Sequence, residues 1–273
     1  MKRKTKKSII LISFLVLAII LIFAAFYNGL TVKNYKVETD KLSKSIRIVL
    51  ISDLHNKVFG DNQRVLINEI KKQAPDIIVL DGDIIENYDS LDGAKMLLKG
   101  IENLYPCYFV TGNHEFSQGK VEAIKQLFRS FGVIVLEGDC KNVLVKGLHI
   151  NICGVDDPNI GLQNFNKQLE ALQGLDSKIY SILLSHRPEI AAECKNNSFD
   201  LILSGHTHGG MWRIPFLVNG LFATDQGFFP KYAGGRYDYN NTAIIIGRGF
   251  TGYSFVPRIF NPPELVVVDI GPK

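Results

Sequence analysis

Five short apolar runs in this chain stop abruptly, and each stop is built from the same few residue types. Arg47–Ile51 runs into Ser52-Asp53-Leu54-His55, and Asp76–Leu80 into Asp81-Gly82-Asp83. Tyr108–Val110 runs into Thr111-Gly112-Asn113-His114-Glu115, and Ile179–Leu184 into Ser185-His186-Arg187-Pro188. Asp200–Leu203 ends at Ser204-Gly205-His206-Thr207-His208-Gly209-Gly210. Apolar, largely β-branched runs bounded by Gly, Pro, Asp, Asn and Ser read as buried strands. Helical spacing of apolar residues predicts helices over Gln63–Lys72, Leu91–Leu104, Val121–Phe131 and Asn164–Leu172. Further strands are expected at Val133–Leu136, Leu148–Cys153, Thr242–Ile246 and Leu265–Ile270. Strands alternating with helices argue for an α/β domain whose helices cover the sheet faces. In open α/β sheets, groups beyond the carboxyl ends of the strands converge on one crevice, so all five polar loops can meet there.

The residue types have a definite chemical use. Oxygen and imidazole donors without thiolate favour Mn, Fe or Zn over a structural zinc knot. A shared carboxylate can hold two divalent ions about 3.5–4 Å apart, where they clamp a phosphate and acidify bound water. Glycines beside the donors let backbone approach closely. A single motif of this kind arises by chance, and a lone strand-end histidine is usually a core residue. Five of the six histidines, placed in four of the five ordered motifs, are a different matter. His149 has no such company and reads as structural.

The set resembles the calcineurin-like metallophosphoesterase superfamily, whose pattern is D-x-H, G-D, G-N-H-[DE], a lone H and G-H-x-H, all present in order from Asp53 to His208. The resemblance implies a two-sheet αββα sandwich. It implies one metal held by Asp53, His55 and His208, another by Asn113, His186 and His206, and Asp83 as the bridge. His114 matches the histidine that stabilises the phosphate transition state or protonates the leaving oxygen, with Glu115 as its orienter. A departure is that Ile84-Ile85, not further polar residues, follow Gly82-Asp83. Two divalent ions, Mn²⁺ before Fe or Zn, are the expected cofactors. The Gly-His-Thr-His-Gly-Gly form and the ending Phe260-Asn261-Pro262-Pro263-Glu264 look like a bacterial membrane-associated branch, which includes hydrolases of lipid-linked nucleotide sugars such as UDP-diacylglucosamine.

The membrane expectation also rests on the amino terminus. Ile9 to Phe26 is an apolar run of 18 residues interrupted only by Ser13. At about 1.5 Å per residue it nearly spans a hydrocarbon core of roughly 30 Å. A signal peptide has a shorter apolar region and a small-residue cleavage site, whereas this run ends Phe23-Ala24-Ala25-Phe26-Tyr27. Lys2, Arg3, Lys4, Lys6 and Lys7 precede it, against Lys33, Lys36, Lys41 and Lys44 after it. The positive-inside bias puts the amino terminus in the cytoplasm and the hydrolase outside the cell membrane. The expected organisation is a basic tail at 1–8, a single transmembrane anchor at 9–27, a stalk or first edge strand at 28–44, and a metallophosphoesterase domain at 45–273.

Charge bounds the partners. The net charge of +4 comes from 31 basic and 27 acidic residues, and removing the five in the tail leaves 26 against 27. No basic footprint for nucleic acid remains. After His208 come Met211, Trp212, Ile214, Phe216, Leu217, Leu221 and Phe222 in a glycine-punctuated stretch that also holds Arg213. About half of these are expected in the core. The rest suit an acyl chain at the rim of the site, with Arg187, Trp212, Arg213 and Phe216 as substrate contacts to a phosphoester, possibly lipid-linked. The four cysteines form no CxxC pair, and whether any of them bond is open.

Overall fold

The structure is a computed structural model of the 273-residue chain. It describes all residues except 1, 118, 195–198 and 253–255, and the side chains of all but these, 2–5 and 191–193. The side chains of Lys2, Arg3 and Lys4 therefore lie outside the described residues.

Two six-stranded sheets stack face to face. The first has the order β1 (Thr31–Thr39), β14 (Glu264–Pro272), β2 (Ile46–Ile51), β3 (Ile77–Asp81), β4 (Cys107–Val110), β5 (Ile134–Val135). The second runs β12 (Gly235–Tyr239), β13 (Thr242–Ile246), β9 (Leu201–Ser204), β8 (Tyr180–Leu184), β7 (Leu148–Gly154), β6 (Asp139–Val145). In each sheet four neighbouring strands are parallel, β2 to β5 and β13, β9, β8 and β7. Their carboxyl ends carry the polar motifs.

Strand periodicity makes the layers. Ile48, Leu50, Ile77, Val79 and Tyr108 face inward and meet Ile150, Ile152, Ile182, Leu201 and Leu203 of the other sheet. Their alternates, Val49, Ile51, Ile78, Leu80 and Phe109, face outward beneath helices α2 (Arg64–Gln73), α3 (Asp92–Ile101) and α5 (Val121–Ser130). The second sheet's outer face, with Leu183, Ile202 and Ile244, is covered by α6 (Leu162–Ala171) through Phe165 and by α7 (Pro188–Glu193) through Ile190. A strand covered on both faces must be apolar throughout, which is why these runs do not alternate with polar residues. Each fully buried aliphatic side chain contributes about 1.5–3 kcal/mol. The expected αββα sandwich is the observed fold.

Of the two forms open to residues 28–44, the chain takes the edge strand. β1 pairs in parallel with β14, Thr31 opposite Glu264 through Thr39 opposite Pro272. The sandwich therefore starts near Thr31, not at residue 45, and only residues 26–30 separate it from α1 (Lys2–Ala25). Within α1, Lys6–Ala25 is long and apolar enough to cross a membrane, and it is exposed except at the half-buried Ala18 and the buried Ala25. Cys140 and Cys153 are register partners on β6 and β7 and form a disulfide, while Cys107 is a free thiol and both it and Cys194 are buried.

Candidate metal centre

The strand ends are stitched together before any side chain is considered. The Asp53, His55 and Asn56 amides donate to the carbonyls of Gly82 (3.1 Å), Asp83 (3.0 Å) and Ile84 (3.0 Å), prolonging the β2–β3 pairing into the loops. Across the sheets, the His206 amide donates to both Asp53 carboxylate oxygens at 3.0 and 3.2 Å. Close approach needs residues without a Cβ. On Gly82 a Cβ would stand 2.6 Å from the Gly112 nitrogen and from His186 Nδ1, and on Gly205 it would stand 2.6 Å from Asp53 Oδ2. Asp53, His55, Asp83, His206 and His208 all have φ between 48° and 72°. Left-handed backbone at a non-glycine residue costs about 1–3 kcal/mol and clusters where function over-determines the conformation. Five such residues among the seven proposed metal donors mark this crevice as strained for a purpose.

The donors form two groups. Those of Asp53, His55 and His208 lie within 4.8 Å of one another, as do those of Asp83, His186 and His206. Asp83 stands between the groups, its Oδ2 3.2 Å from His186 Nε2 and 3.8 Å from His55 Nε2. Asp53 Oδ1 lies 3.8 Å from His208 Nε2 and 4.0 Å from His186 Nε2. Three donors, His55 Nε2, His186 Nε2 and Asn113 Oδ1, are buried without a hydrogen-bond partner. Buried polar atoms of this kind cost free energy unless something else satisfies them. An all-oxygen and imidazole set with orphaned lone pairs fits a pair of divalent cations.

The far side of each imidazole is held. His186 Nδ1 donates to the Asp81 carbonyl at 2.7 Å and His208 Nδ1 to the Thr251 carbonyl at 3.1 Å. His55 Nδ1 donates to Glu86, and His206 Nε2 to Asp225 at 3.0 Å. Such bonds select the tautomer that leaves the other nitrogen free to coordinate. Burial pushes His208 down to about 4, against the opposing charge of Asp53, so its imidazole is neutral. Burial would also lower His186, but the negative charge of the neighbouring Asp83 outweighs it and holds His186 well above its usual value. Asp83 is reciprocally held far below the carboxylate range, its burial overcome by His186 and His55. The Asp81 carboxyl has both oxygens buried without a partner, and burial pushes it up to about 8.

His114 is the second residue of α4 (Asn113–Ser117) and lies at the mouth of this crevice. Its Nδ1 is 3.1 Å from Glu86, its Nε2 3.9 Å from Asp83 Oδ2, and its ring meets His55 edge-on at 4.6 Å. Burial alone would lower its pKa, but the Glu86 hydrogen bond and the Asp83 charge raise it to about 9.

Two sequence expectations change here. Glu115 does not orient the His114 ring. Its fully buried carboxylate accepts from the amides of Asp83 (2.9 Å), Ile84 (2.9 Å), Ile85 (3.1 Å) and Gly112 (2.7 Å), fastening the β3 loop to the β4 loop. The residue on the His114 ring is Glu86, which the apolar Ile84-Ile85 after Gly82-Asp83 concealed. Its signal was available: an acid three residues past Asp83.

The substrate contacts also sort differently. Arg187 does stand beside the donors, bound to Asp157 through Nε (2.7 Å) and to Asp225 through Nη1 (2.5 Å). Trp212 instead donates its indole N–H to the Pro257 carbonyl at 2.9 Å. Arg213 lies among Arg248, Glu264 and Tyr35, where burial and the Arg248 charge lower its pKa. Phe216 projects fully into solvent. His149, set aside as structural, bonds Asn142 at 2.6 Å on the exposed edge of β7.

Comparison with known proteins gives a consistent set. The sequence profile of the calcineurin-like phosphoesterase family matches residues 46–210. An uncharacterized metallophosphoesterase of Aquifex aeolicus is 34% identical over 257 residues, covering 89% of this chain and 93% of its own length. A Danio rerio transmembrane protein with metallophosphoesterase domain is 27% identical over 254 residues, covering 86% of this chain and 56% of the relative. Among solved structures, the anchor in the inner membrane complex of Plasmodium superposes with a TM-score of 0.51 at 13% identity, covering 84% of this chain and 82% of that one. That last likeness extends to the fold alone.

Proposed function

Since the chain belongs to the calcineurin-like phosphoesterase family, we propose that it is a dinuclear metal-dependent hydrolase of a membrane-associated, lipid-linked phosphoester or phosphoanhydride. Membership implies phosphoester hydrolysis. The observation that carries the dinuclear reading is the set of orphaned, inward-facing donors of His55, His186 and Asn113 around Asp83.

Asp53, His55 and His208 would hold one divalent ion and Asn113, His186 and His206 the other, with Asp83 between. When bound, two such ions withdraw charge from phosphate oxygens and lower the pKa of water. Mn²⁺ suits the donor set, with Fe or Zn next. His114, protonated at neutral pH with Nδ1–H held by Glu86, presents Nε2–H to the departing oxygen as general acid. Glu86 also orients His55, so one carboxylate serves a donor and the acid. Arg187, fixed by Asp157 and Asp225, offers a cation beside His206 for the phosphate.

The anchor reading rests on α1 and is supported by the transmembrane relative. Five basic residues before the apolar run, against four lysines soon after it, favour a cytoplasmic amino terminus. The Cys140–Cys153 disulfide agrees, since such bonds persist in oxidising compartments. A carboxyl-terminal reporter active only in the cytoplasm would overturn that orientation. The substrate test is purified full chain with Mn²⁺ against matched monoesters, diesters and pyrophosphate-linked compounds with and without acyl chains. The reading expects higher kcat/KM for acylated members, and equal values would sink the lipid assignment.

A further inference from the structure

Large exposed apolar side chains on the described part of the sandwich are mostly scattered singly, as at Val58, Val65, Leu104, Leu144 and Leu162. One stretch departs from this. Between residues 212 and 229, Phe216 is 106% exposed, Leu217 82%, Phe228 72%, Phe229 67% and Ile214 53%. A monomer in water gains nothing by holding such residues together, and a patch of this kind marks an interaction surface.

Backbone bonds place the patch. The carbonyl of Ala25, the last residue of α1, accepts from the Phe260 amide at 2.7 Å. The neighbouring Ile259 carbonyl accepts from Arg213 (3.0 Å), and the Ile259 amide donates to Met211 (3.2 Å). The Trp212 carbonyl accepts from Leu221 (2.8 Å), whose own carbonyl accepts from Phe229 (2.7 Å). An unbroken run of short hydrogen bonds thus joins the patch to the end of the helix long enough to cross a membrane. Its other side reaches the metal centre. Between the paired strands β10 (Phe222–Ala223) and β11 (Gly227–Phe228), Asp225 turns inward onto His206 and Arg187. Asp225 is the only acid between Met211 and Tyr232, whereas Arg213 and the fully exposed Lys231 are cations. The outward face is therefore apolar, with its one acid, Asp225, half-exposed but paired with the Arg187 cation, which suits a lipid interface.

We propose that the 212–229 loop seats its apolar side chains in the headgroup and acyl boundary of the bilayer that α1 crosses, so that the metal centre opens against the lipid surface. This rests on the membrane-anchored reading above. The occupant is lipid because α1 brings a bilayer to within a few hydrogen bonds of the loop.

Trp212 is the only tryptophan in the chain and sits at the head of the loop, which makes it a built-in reporter. The test reconstitutes the full chain in phosphatidylcholine–phosphatidylglycerol vesicles whose acyl chains are brominated near the glycerol end. A ring seated roughly 5–10 Å into the boundary should lose about half its emission. Leu217→Glu with Phe229→Glu should restore emission, while the protein still floats with the vesicles and still hydrolyses p-nitrophenyl phosphate with Mn²⁺. The milder pair Leu217→Ser with Phe229→Ser should restore it in part and covers a folding failure of the first pair. Flotation with unquenched Trp212 overturns the docking and leaves the anchor standing. Failure to float overturns both. If Trp212 is shielded from aqueous acrylamide but not quenched by lipid, and the substitutions lower the particle mass, the loop is covered by a second copy of the chain and the lipid proposal is wrong.

Discussion

The two sheets make unequal contributions to the centre. The first supplies every carboxylate of the donor set, Asp53 and Asp83, together with His55, Asn113 and His114, whereas the second supplies only imidazoles, His186, His206 and His208. They are also held differently. The carboxylate side is clamped by backbone N–H groups: four on Glu115, the His206 amide on Asp53, and the His114 amide on Asp83 at 2.9 Å. The imidazole side leans on backbone carbonyls for His186 and His208, those of Asp81 and Thr251, and on the Asp225 carboxylate for His206. Buried anions need donors and buried rings need acceptors, and the loops exchange them across the sheets, the His206 amide serving Asp53 and the Asp81 carbonyl serving His186. The anionic half carries the larger electrostatic burden and should be the more sensitive to substitution.

The largest effect should come from the shared acid. Asp83→Asn is expected to lose both metals and reduce turnover to background, while Asp53→Asn and His208→Ala lose mainly one ion each. Metal analysis of the purified variants reads this directly, and an Asp83 variant with two metals and full activity would erase the asymmetry. Next come the groups at the mouth. His114→Ala should retain metal and lose about 10²–10⁴-fold in kcat, less with a good leaving group such as p-nitrophenolate. Glu86→Gln should cost about 10–100-fold, since it releases both His114 and the donor His55.

A smaller, structural effect tests how the halves are joined. Lys125 of α5, on the first sheet's flank, is 1% exposed and reaches Asp156 beyond β7 (2.9 Å) and Glu137 (2.7 Å). Thr111, beyond β4, donates to the same Asp156 at 2.7 Å. Lys125→Met leaves Asp156 buried without its cation and should cost about 3 kcal/mol in urea unfolding. Burial would lower the Lys125 pKa, but the charges of Asp156 and Glu137 raise it. Its stabilisation is therefore complete below the unfolded value of 10.5 and disappears as pH rises through the higher folded value. The wild type should lose more stability than Lys125→Met over that alkaline range, and parallel curves would remove the linkage. The smallest effect is expected at Asn261, whose buried amide donates to the carbonyls of His208 (2.7 Å) and Met211 (3.2 Å). Asn261→Ala should cost about 1–3 kcal/mol, and unchanged thermal unfolding would show that the final loop holds His208 without it.

The central strands were legible because their signal is local. The expected Arg47–Ile51 and Thr242–Ile246 are observed as Ile46–Ile51 and Thr242–Ile246. β6 and β12 were not predicted as strands, and for the region of β1 the sequence left a stalk as open as an edge strand. They are edge strands with one face in solvent, and TVKNYKVET or DCKNVLV alternates too weakly to stand out from a loop. β1 depends on β14, more than two hundred residues away in the chain, and no window of sequence contains that pairing. Glu115 was misread, and Glu86 passed over, for a related reason. Both acids sit near the right motif, and only the loop conformation decides which meets a ring and which meets four amides.

What the sequence alone determined is the chemistry available at the strand ends: seven oxygen and imidazole side chains in family order, a further histidine beside them, and an apolar segment long enough for a membrane. These follow from residue identity and short-range periodicity, which need no third dimension. The tertiary structure decided how those donors meet. The left-handed φ values at Asp53, His55, Asp83, His206 and His208 exist only because two sheets press their loops together. It also decided that the 212–229 loop faces outward beside the end of α1 while Asp225 faces inward to the site. Apolar residues carry no label for core or membrane, and which one takes them depends on what the rest of the fold has already covered.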